Sequence, residues 1–189
     1  MTGAASVGSR ERLRLFVGLP LPDEPLDRLV SWQRDQLPEH PGVRVVPREN
    51  LHVTLAFLGT RPAADVEPVS AVLRDAAAGA GPLVLTPSRY RETRSVGMIV
   101  FEDDSTRGGQ LAEAVWERLE QLAVYERERR DWLAHVTVLR FRRRPRLAPP
   151  LPDLGPVSPS EVALYHSVLQ RSGARYEILE SVVLGGSTP

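Results

Sequence analysis

A His-Val-Thr triplet occurs twice in the chain, and this duplication limits the possible folds more than any other feature of the sequence. The first copy lies in LHVTLAFLG, residues 51–59, and the second lies in LAHVTVLRF, residues 133–141. Apolar residues alternate with their neighbours through both segments, which is the period-two pattern of a β-strand. Each histidine and the threonine two residues later therefore point from the same face of a strand. The sequence has four histidines, and two of them begin these triplets.

The positions of the triplets predict a molecule with two similar halves. The two histidines are 83 residues apart (135 minus 52), and each half contains at least one amphipathic segment that could pack on a sheet. We therefore expect two lobes whose triplet strands face each other across a central cleft.

The rest of the pattern predicts an α+β fold. Helices are expected from 23 to about 37, around 66–77 and at 107–124, where apolar residues recur at three- and four-residue spacing. Strands are expected within 12–22, at 43–46, 83–90 and 96–102, around both triplets, and at 161–170 and 174–184. Because strands, helices and hairpin-like pairs are mixed, we favour a bilobal arrangement. In it, two antiparallel β-sheets face the cleft and the helices pack on the outside.

Composition narrows the class of protein. A chain of 189 residues predicts a single domain, 11–189, after a short disordered tail, 1–10, that lacks the features of a signal peptide. No apolar run approaches the roughly 18 residues of a membrane helix. The absence of lysine excludes lysine-adenylate, Schiff-base and phosphate-loop enzymes, and the absence of cysteine excludes disulfides and thiolate sites. A cytoplasmic location fits these features best.

The residues of the duplicated triplet suit metal-free phosphodiester hydrolysis. A single histidine beside a threonine is an ordinary feature of a strand, but two copies facing each other place two imidazoles and two hydroxyls around one point. One neutral imidazole can take a proton from water while one imidazolium gives a proton to the leaving oxygen. The hydroxyls of Thr54 and Thr137 can donate to the non-bridging oxygens, where charge develops. The sequence is symmetric as to which histidine is the acid.

Zinc binding is the competing use of a histidine pair. A zinc site needs a third ligand at short spacing, and neither triplet has a carboxylate or a further histidine so placed. We therefore predict neither a metal nor another cofactor.

The sequence resembles the two-histidine phosphoesterases, and among them the RNA 2′,3′-cyclic phosphodiesterases, also called 2′-5′ RNA ligase-like proteins. LRLFVGLPLP resembles the opening strand of that family, and VVPRENLHVTLAFLG and HVTVLR resemble its two motif regions. EVALYHSVLQRSGARYEILESVVL is similar to its C-terminal hairpin. The resemblance implies the bilobal fold and hydrolysis of a terminal 2′,3′-cyclic phosphate to a 2′-phosphate. It also implies that His52 is the proton donor to the leaving 3′ oxygen and that His135 is the proton acceptor from water.

Arg140 is a third type of candidate site residue. The resemblance implies that Arg140, with Thr54 and Thr137, binds the substrate phosphate. Arg140 lies five residues after His135, so strict alternation would turn its side chain to the opposite face of the strand. A contact with phosphate therefore requires a β-bulge or a strong twist in this strand.

The expected partners are RNA ends or small cyclic nucleotides as substrates, with no membrane partner and a monomeric protein. One alternative is the same chemistry on another small phosphodiester, such as a cyclic phosphate of an ADP-ribose derivative or a 2′-5′ oligonucleotide. Another is an RNA-end binding module without catalysis, which the presence of both histidines and both threonines disfavours. Metal-free, reversible 2′-5′ joining also stays open.

The arginine run RFRRRPR, residues 140–146, permits two interpretations. A charge run is usually a solvated face. Next to a triplet strand, it could instead guide an RNA backbone towards the cleft. The sequence favours neither interpretation.

Overall fold

A computed structural model describes residues 11–37, 42–127, 129–171 and 173–185. The predicted tail, 1–10, lies outside the described residues. The strands are β1 (Arg12–Pro20), β2 (Val43–Val45), β3 (His52–Pro62), β4 (Leu85–Glu92), β5 (Val96–Asp103), β6 (His135–Phe141), β7 (Glu161–Gln170) and β8 (Gly173–Val183). The helices are α1 (Asp23–Gln36), α2 (Val66–Ala78) and α3 (Arg107–Gln121). None of these described helices is long and apolar enough to cross a membrane.

The strands form a curled antiparallel sheet in the order β4-β5-β6-β3-β1-β7-β8, with β2 paired to β6. The two triplet strands, β3 and β6, lie side by side at the centre and share one residue pair, Val53 with Val136. This pair divides the sheet into one half with β1, β3, β7 and β8 and another with β2, β4, β5 and β6. The α+β, antiparallel and two-lobed prediction is confirmed, with the refinement that the two sheets are continuous through a single pair.

The helices pack on the sheet through the apolar stripes that the sequence predicts. Leu26 and Leu29 of α1 and Leu111, Val115 and Leu119 of α3 are buried in the main core. Burying each such side chain contributes about 1.5–3 kcal/mol. These stripes hold the helices against the sheet and outside the cleft.

The third helix ends three residues earlier than its apolar pattern predicts. Ala123 has φ 53°, and its N–H donates to the Glu120 carbonyl while the Val124 N–H donates to the Leu119 carbonyl. This pair of bonds with a left-handed residue is the Schellman termination of a helix. The apolar stripe continues past it because Val124 is buried in the same core.

Both triplet strands contain a β-bulge at the same position. In β3, Gly18 of β1 pairs with Thr54 and Val17 pairs with Ala56, so Leu55 is the extra residue. In β6, Met98 of β5 pairs with Thr137 and Gly97 pairs with Leu139, so Val138 is the extra residue. Each bulge lies three residues after its histidine. The order of exposed and buried residues over the first seven positions is the same in β3 and β6.

Side chains from outside the sheet bind the carbonyl groups at and beside these bulges. The indole N–H of Trp116 donates to the Leu55 carbonyl (2.8 Å), and that of Trp132 donates to the Thr54 carbonyl (3.0 Å). The buried amide of Gln33 donates to the Val138 carbonyl (3.0 Å). A bulge interrupts the ladder, and a buried carbonyl left without a donor costs about 1–3 kcal/mol. These contacts stabilise the irregular part of each triplet strand.

Candidate active site

The His52 ring is held in one orientation by hydrogen bonds at both nitrogens. Its Nδ1 lies 2.8 Å from the Asn50 carbonyl oxygen, and its Nε2 lies 3.1 Å from the Thr54 Oγ1. A carbonyl oxygen can only accept, so Nδ1 carries the proton in the neutral ring. The Nε2 lone pair then accepts from the threonine hydroxyl. In its neutral form, His52 therefore presents a basic nitrogen on the face that carries Thr54.

His135 has the same anchor. Its Nδ1 lies 2.8 Å from the Leu133 carbonyl oxygen, again the residue two positions before the histidine. The carbonyl fixes the same tautomer, so Nε2 is the basic nitrogen of neutral His135. The two histidines thus have the same position in their triplets and the same backbone anchor at Nδ1.

The register of β3 and β6 brings the two triplets together. The middle residues Val53 and Val136 are paired, and extending this antiparallel register places His52 beside Thr137 and Thr54 beside His135. Diagonal neighbours in a regular antiparallel ladder are about 7–8 Å apart, which leaves room for a phosphate group between two imidazoles. A positive charge on His135 would lower the pKa of His52, as expected for groups that share a site.

Aromatic rings surround His52. The ring centroids of Phe16, Tyr176 and Tyr165 lie 4.8, 5.4 and 5.6 Å from that of His52. Gly18 leaves space for the imidazole, because a Cβ at this position would lie 3.1 Å from His52 Cδ2 and 2.9 Å from the Val53 carbonyl oxygen. The rigid packing fixes the orientation of the ring.

This environment lowers the pKa of His52 to about 4. Burial is the largest cause, and the nearby charges of His135 and Arg140 lower it further, while the hydrogen bond to the Asn50 carbonyl opposes the shift. His52 is therefore neutral at pH 7 before a substrate binds. A role as proton donor requires that the ring take up a proton when an anionic substrate binds.

Two cavities open beside the paired triplets. A cavity of 330 Å³ is lined by His52, Thr54, Thr137 and Arg140, among others. A second cavity of 410 Å³ is lined by His135 and again by Thr54. Thr54 thus lies between the two cavities, and all five predicted site residues border this part of the cleft.

The bulge in β6 brings Arg140 to the cleft face. Val138 and Leu139 are both buried, so the alternation shifts by one residue and Arg140 is exposed on the side of His135 and Thr137. The bulge that a phosphate contact requires is therefore present. Arg140 also lines the cavity that contains His52 and adds positive charge near that ring.

The end of the arginine run is held by hydrogen bonds to a buried carboxylate, that of Glu92. The Glu92 carboxylate is 1% exposed and accepts bonds from the Arg144 Nε (3.0 Å) and from the backbone N–H groups of Arg146 (3.0 Å) and Leu147 (2.8 Å). Burial alone would raise the pKa of Glu92, but the donors of Leu147 and Arg144 outweigh it and lower the pKa. Arg144 therefore has a structural partner. Binding of RNA by the exposed Arg142 and Arg143 stays a prediction.

Within the described ranges, no group of three or more histidine, aspartate or glutamate side chains could hold a metal ion. The third histidine on a strand, His166, lies across from Glu177 with 3.9 Å between Nδ1 and Oε2, and lines neither cavity.

Sequence reasoning missed the residues that position His52. Asn50 supplies the anchoring carbonyl, and its side chain donates to the Ala174 carbonyl (2.7 Å), which ties the first triplet to β8. Phe16, Tyr165 and Tyr176 come from three other strands, and alternation in one strand cannot reveal contacts between strands. The repeated two-residue spacing from carbonyl to imidazole could be recognised only from the geometry.

Comparison with known proteins finds similar sequences. A family model described as LigT like Phosphoesterase matches residues 19–91, which include the first triplet. The RNA 2′,3′-cyclic phosphodiesterase of Escherichia coli (strain K12) is 43% identical over 49 residues, which are 26% of this chain and 27% of that protein. The sequence alignment therefore spans about a quarter of this curated relative.

Solved structures match over nearly the whole chain. A protein of Thermus thermophilus is 28% identical with a TM-score of 0.78, and the match covers 93% of this chain and 100% of that one. E. coli LigT crystallised with 3′-AMP is 26% identical with a TM-score of 0.80 and the same coverages. E. coli LigT with NADP+ is 27% identical with a TM-score of 0.78, covering 93% and 99%.

A curled antiparallel sheet with paired His-x-Thr strands at its centre is the arrangement expected from the resemblance to the two-histidine phosphoesterases. The chain is similar to the LigT-like phosphoesterases in sequence over residues 19–91 and in structure over 93% of its length.

Proposed function

We propose that the protein hydrolyses the 2′,3′-cyclic phosphate of RNA ends or nucleotides to a 2′-phosphate without a metal ion. The observation that carries the proposal is the equivalent anchoring of His52 and His135. Each Nδ1 is fixed by a carbonyl at 2.8 Å, which leaves each Nε2 as the proton-transfer atom. Two such atoms beside one phosphate are what acid–base hydrolysis of a phosphodiester requires.

The proposed reaction has one attacking and one leaving oxygen. The Nε2 of neutral His135 takes a proton from water as its oxygen attacks phosphorus. The bond from phosphorus to the 3′ oxygen breaks, and the Nε2 of protonated His52 gives its proton to that oxygen. The product carries a 2′-phosphate and a 3′-hydroxyl, and proton exchange with solvent restores both histidines.

Thr54, Thr137 and Arg140 stabilise the charge on the non-bridging oxygens. All three line the cavity that contains His52, and their donors are a hydroxyl, a hydroxyl and a guanidinium. Fixed donors aimed at oxygens that gain charge lower the barrier most when they need no reorganisation. The bulge in β6 supports this role for Arg140, because it directs the side chain towards the site.

Relatives support the substrate class. The curated E. coli relative is an RNA 2′,3′-cyclic phosphodiesterase, and E. coli LigT has been crystallised with 3′-AMP, NADP+ and ATP. All of these ligands are nucleotides, which fits a cleft that takes a nucleoside beside its phosphate.

The test of the proposal is turnover of a small 2′,3′-cyclic nucleotide in excess EDTA. We expect hydrolysis to persist, since the two imidazoles supply both proton transfers. Activity that disappears with chelator and returns with zinc or manganese would contradict the mechanism. A protein that binds the nucleotide but never turns it over would instead be the RNA-end binding module.

The low pKa of His52 predicts that substrate binding takes up a proton. With a pKa of about 4, His52 is neutral at pH 7 before substrate binds, and a bound phosphodiester anion favours the imidazolium. Binding should therefore become tighter as the pH falls from 8 towards 5. Uridine 2′,3′-cyclic phosphate keeps one charge over this range and can be titrated onto the His135→Ala variant. Calorimetry in two buffers of different ionisation enthalpy gives the number of protons taken up.

The control is the same titration on the double variant His52→Asn, His135→Ala. We expect uptake approaching one proton in the single variant and close to none in the double variant. A binding enthalpy that is independent of the buffer in the single variant would show that His52 does not become the proton donor.

A further inference from the structure

The cavity beside His52 carries more positive charge than one phosphodiester needs. Arg14 of β1, Arg44 of β2 and Arg140 of β6 line it, and no aspartate or glutamate is among the lining residues. A cyclic phosphodiester has a single negative charge, which Arg140 and a protonated His52 can neutralise. The further charge of Arg14 points to a second anion.

In the described part of the chain, Arg14 lacks the acidic partner that several other arginines have. Arg28, Arg48, Arg61 and Arg74 each form an ion pair with aspartate or glutamate. Among the described residues, Arg14 has no such pair, and its guanidinium carbon lies over the Phe57 ring, 5.0 Å from the ring centroid. The aromatic face holds the cation while its N–H groups stay available to a ligand.

The duplication of the triplet gives this pair of residues a defined place. Phe57 lies five residues after His52 and beyond the bulge at Leu55, as Arg140 lies five residues after His135 and beyond the bulge at Val138. Phe57 is therefore the counterpart of Arg140 in the other half of the cleft. It is 50% exposed and lines both cavities.

Phe57 has no charge where its counterpart, Arg140, has one, and Arg14 of the neighbouring strand β1 provides a positive charge beside it. Arg14 and Phe16 are two residues apart on β1, so both side chains lie on one face of the strand. Phe16 packs on His52 with 4.8 Å between the ring centroids, which identifies this face as the one towards the cleft. One guanidinium thus lies on each side of the histidine pair, from Arg140 on β6 and from Arg14 on β1.

We propose that Arg14, supported by Phe57, binds the phosphate group on the 5′ side of the nucleoside whose cyclic phosphate lies between His52 and His135. This inference rests on the proposed function and specifies its substrate class. It predicts that a 5′-phosphorylated end, either an RNA chain or a phosphorylated mononucleotide, is the preferred substrate over a nucleoside cyclic phosphate with a free 5′-hydroxyl.

The experiment compares kcat/KM for three substrates. They are uridine 2′,3′-cyclic phosphate, its 5′-phosphorylated form, and the dinucleotide UpU that ends in a 2′,3′-cyclic phosphate. In the Arg14→Gln variant, we expect the ratio of each 5′-phosphorylated substrate to the unphosphorylated one to fall about 10-fold to 10²-fold, as for loss of a bond between charged groups. In the same variant, the slope of log kcat/KM against log salt concentration should become smaller by about one unit for the 5′-phosphorylated substrates.

Arg12→Gln is the matched control. Arg12 lies on the same strand, is exposed, donates to the Thr60 carbonyl and does not line the cavity, so its loss should leave the ratios unchanged. Phe57→Leu keeps the Arg14 charge but removes its support, and we expect an intermediate fall. A ratio in Arg14→Gln that equals the wild-type ratio, whatever the absolute rates, would overturn the inference. A fall for UpU alone would identify the RNA backbone as the source of the phosphate.

Binding measurements test this inference independently of the proposed function. Calorimetry of uridine 3′,5′-bisphosphate and uridine 3′-monophosphate measures the 5′-phosphate contribution without turnover. If no cyclic phosphate is hydrolysed but Arg14→Gln still loses the preference for the bisphosphate, the proposed reaction is wrong and the anion subsite stands. Equal affinity of the wild-type protein for the two ligands would overturn the subsite even if hydrolysis is observed.

Discussion

Replacing either triplet histidine by alanine is expected to lower kcat by about 10²–10⁴, the usual contribution of one positioned proton transfer. His52→Ala removes the proposed donor and His135→Ala removes the proposed acceptor, so each single variant should show the loss. Initial rates on a small 2′,3′-cyclic nucleotide measure it, with the melting temperature determined in parallel. The fold should persist, because both imidazoles are half-buried cleft residues outside the core clusters.

Three further variants make this prediction specific. Thr54→Ala and Thr137→Ala should cost less than either histidine, since each removes one hydrogen bond to phosphate while other donors remain. His166→Ala is the matched control, because His166 is also on a strand but lines neither cavity. Near-wild-type turnover in His52→Ala or in His135→Ala, or a loss explained by melting of the fold, would exclude paired histidine catalysis.

Gly18→Ala is expected to lower kcat/KM by about 10², although Gly18 carries no chemical group. The new methyl group would lie 2.9 Å from the Val53 carbonyl oxygen and 3.1 Å from His52 Cδ2, so the imidazole or its strand must move. A displacement of about 1 Å at a catalytic group costs on the order of 10²-fold in rate. Steady-state kinetics with the cyclic nucleotide measure the effect.

Gly79→Ala is the control for this change. Gly79 ends α2 with a negative φ, and the nearest atom to an added Cβ is the Ala76 carbonyl oxygen at 3.9 Å. This variant should retain wild-type kinetics. If Gly18→Ala also retains them, the position of His52 is not fixed by its packing against β1.

The spacing of apolar residues, with period two in strands and three- and four-residue steps in helices, was sufficient to predict the architecture. The triplet strands, the flanking helices and the closing hairpin all occur near their predicted positions, because each buries one face and its sequence shows that period. The duplicated triplet also predicted two halves, which meet at Val53 and Val136. The limits of the domain, a monomeric state and a cytoplasmic location stay predictions.

The irregular features of the site were beyond this reasoning, except in one case. The position of Arg140 required a bulge, and that bulge is present at Val138. The matching bulge at Leu55 was not predicted. The residue beyond it, Phe57, is apolar, so nothing in the sequence conflicted with regular alternation through this strand. The bonds from Trp116 and Trp132 to carbonyls of β3 were not predicted either, because they depend on tertiary contacts.

The assignment of acid and base is symmetric in the sequence and nearly symmetric in the structure. Both histidines use Nδ1 for a backbone carbonyl, so the tautomer does not distinguish them. The aromatic surroundings of His52 do distinguish it, because burial lowers the pKa of this ring. Assigning His52 as the donor therefore requires the proton uptake predicted above.

The most direct measurement is ³¹P NMR of the product formed from uridine 2′,3′-cyclic phosphate in ¹⁸O-labelled water with excess EDTA. Two-histidine hydrolysis with departure of the 3′ oxygen predicts uridine 2′-phosphate that carries one ¹⁸O on phosphorus. It also predicts that the rate of formation of this product falls by about 10²–10⁴ in His52→Ala and in His135→Ala. A 3′-phosphate product, a product without ¹⁸O, or formation that requires an added metal ion would contradict the mechanism.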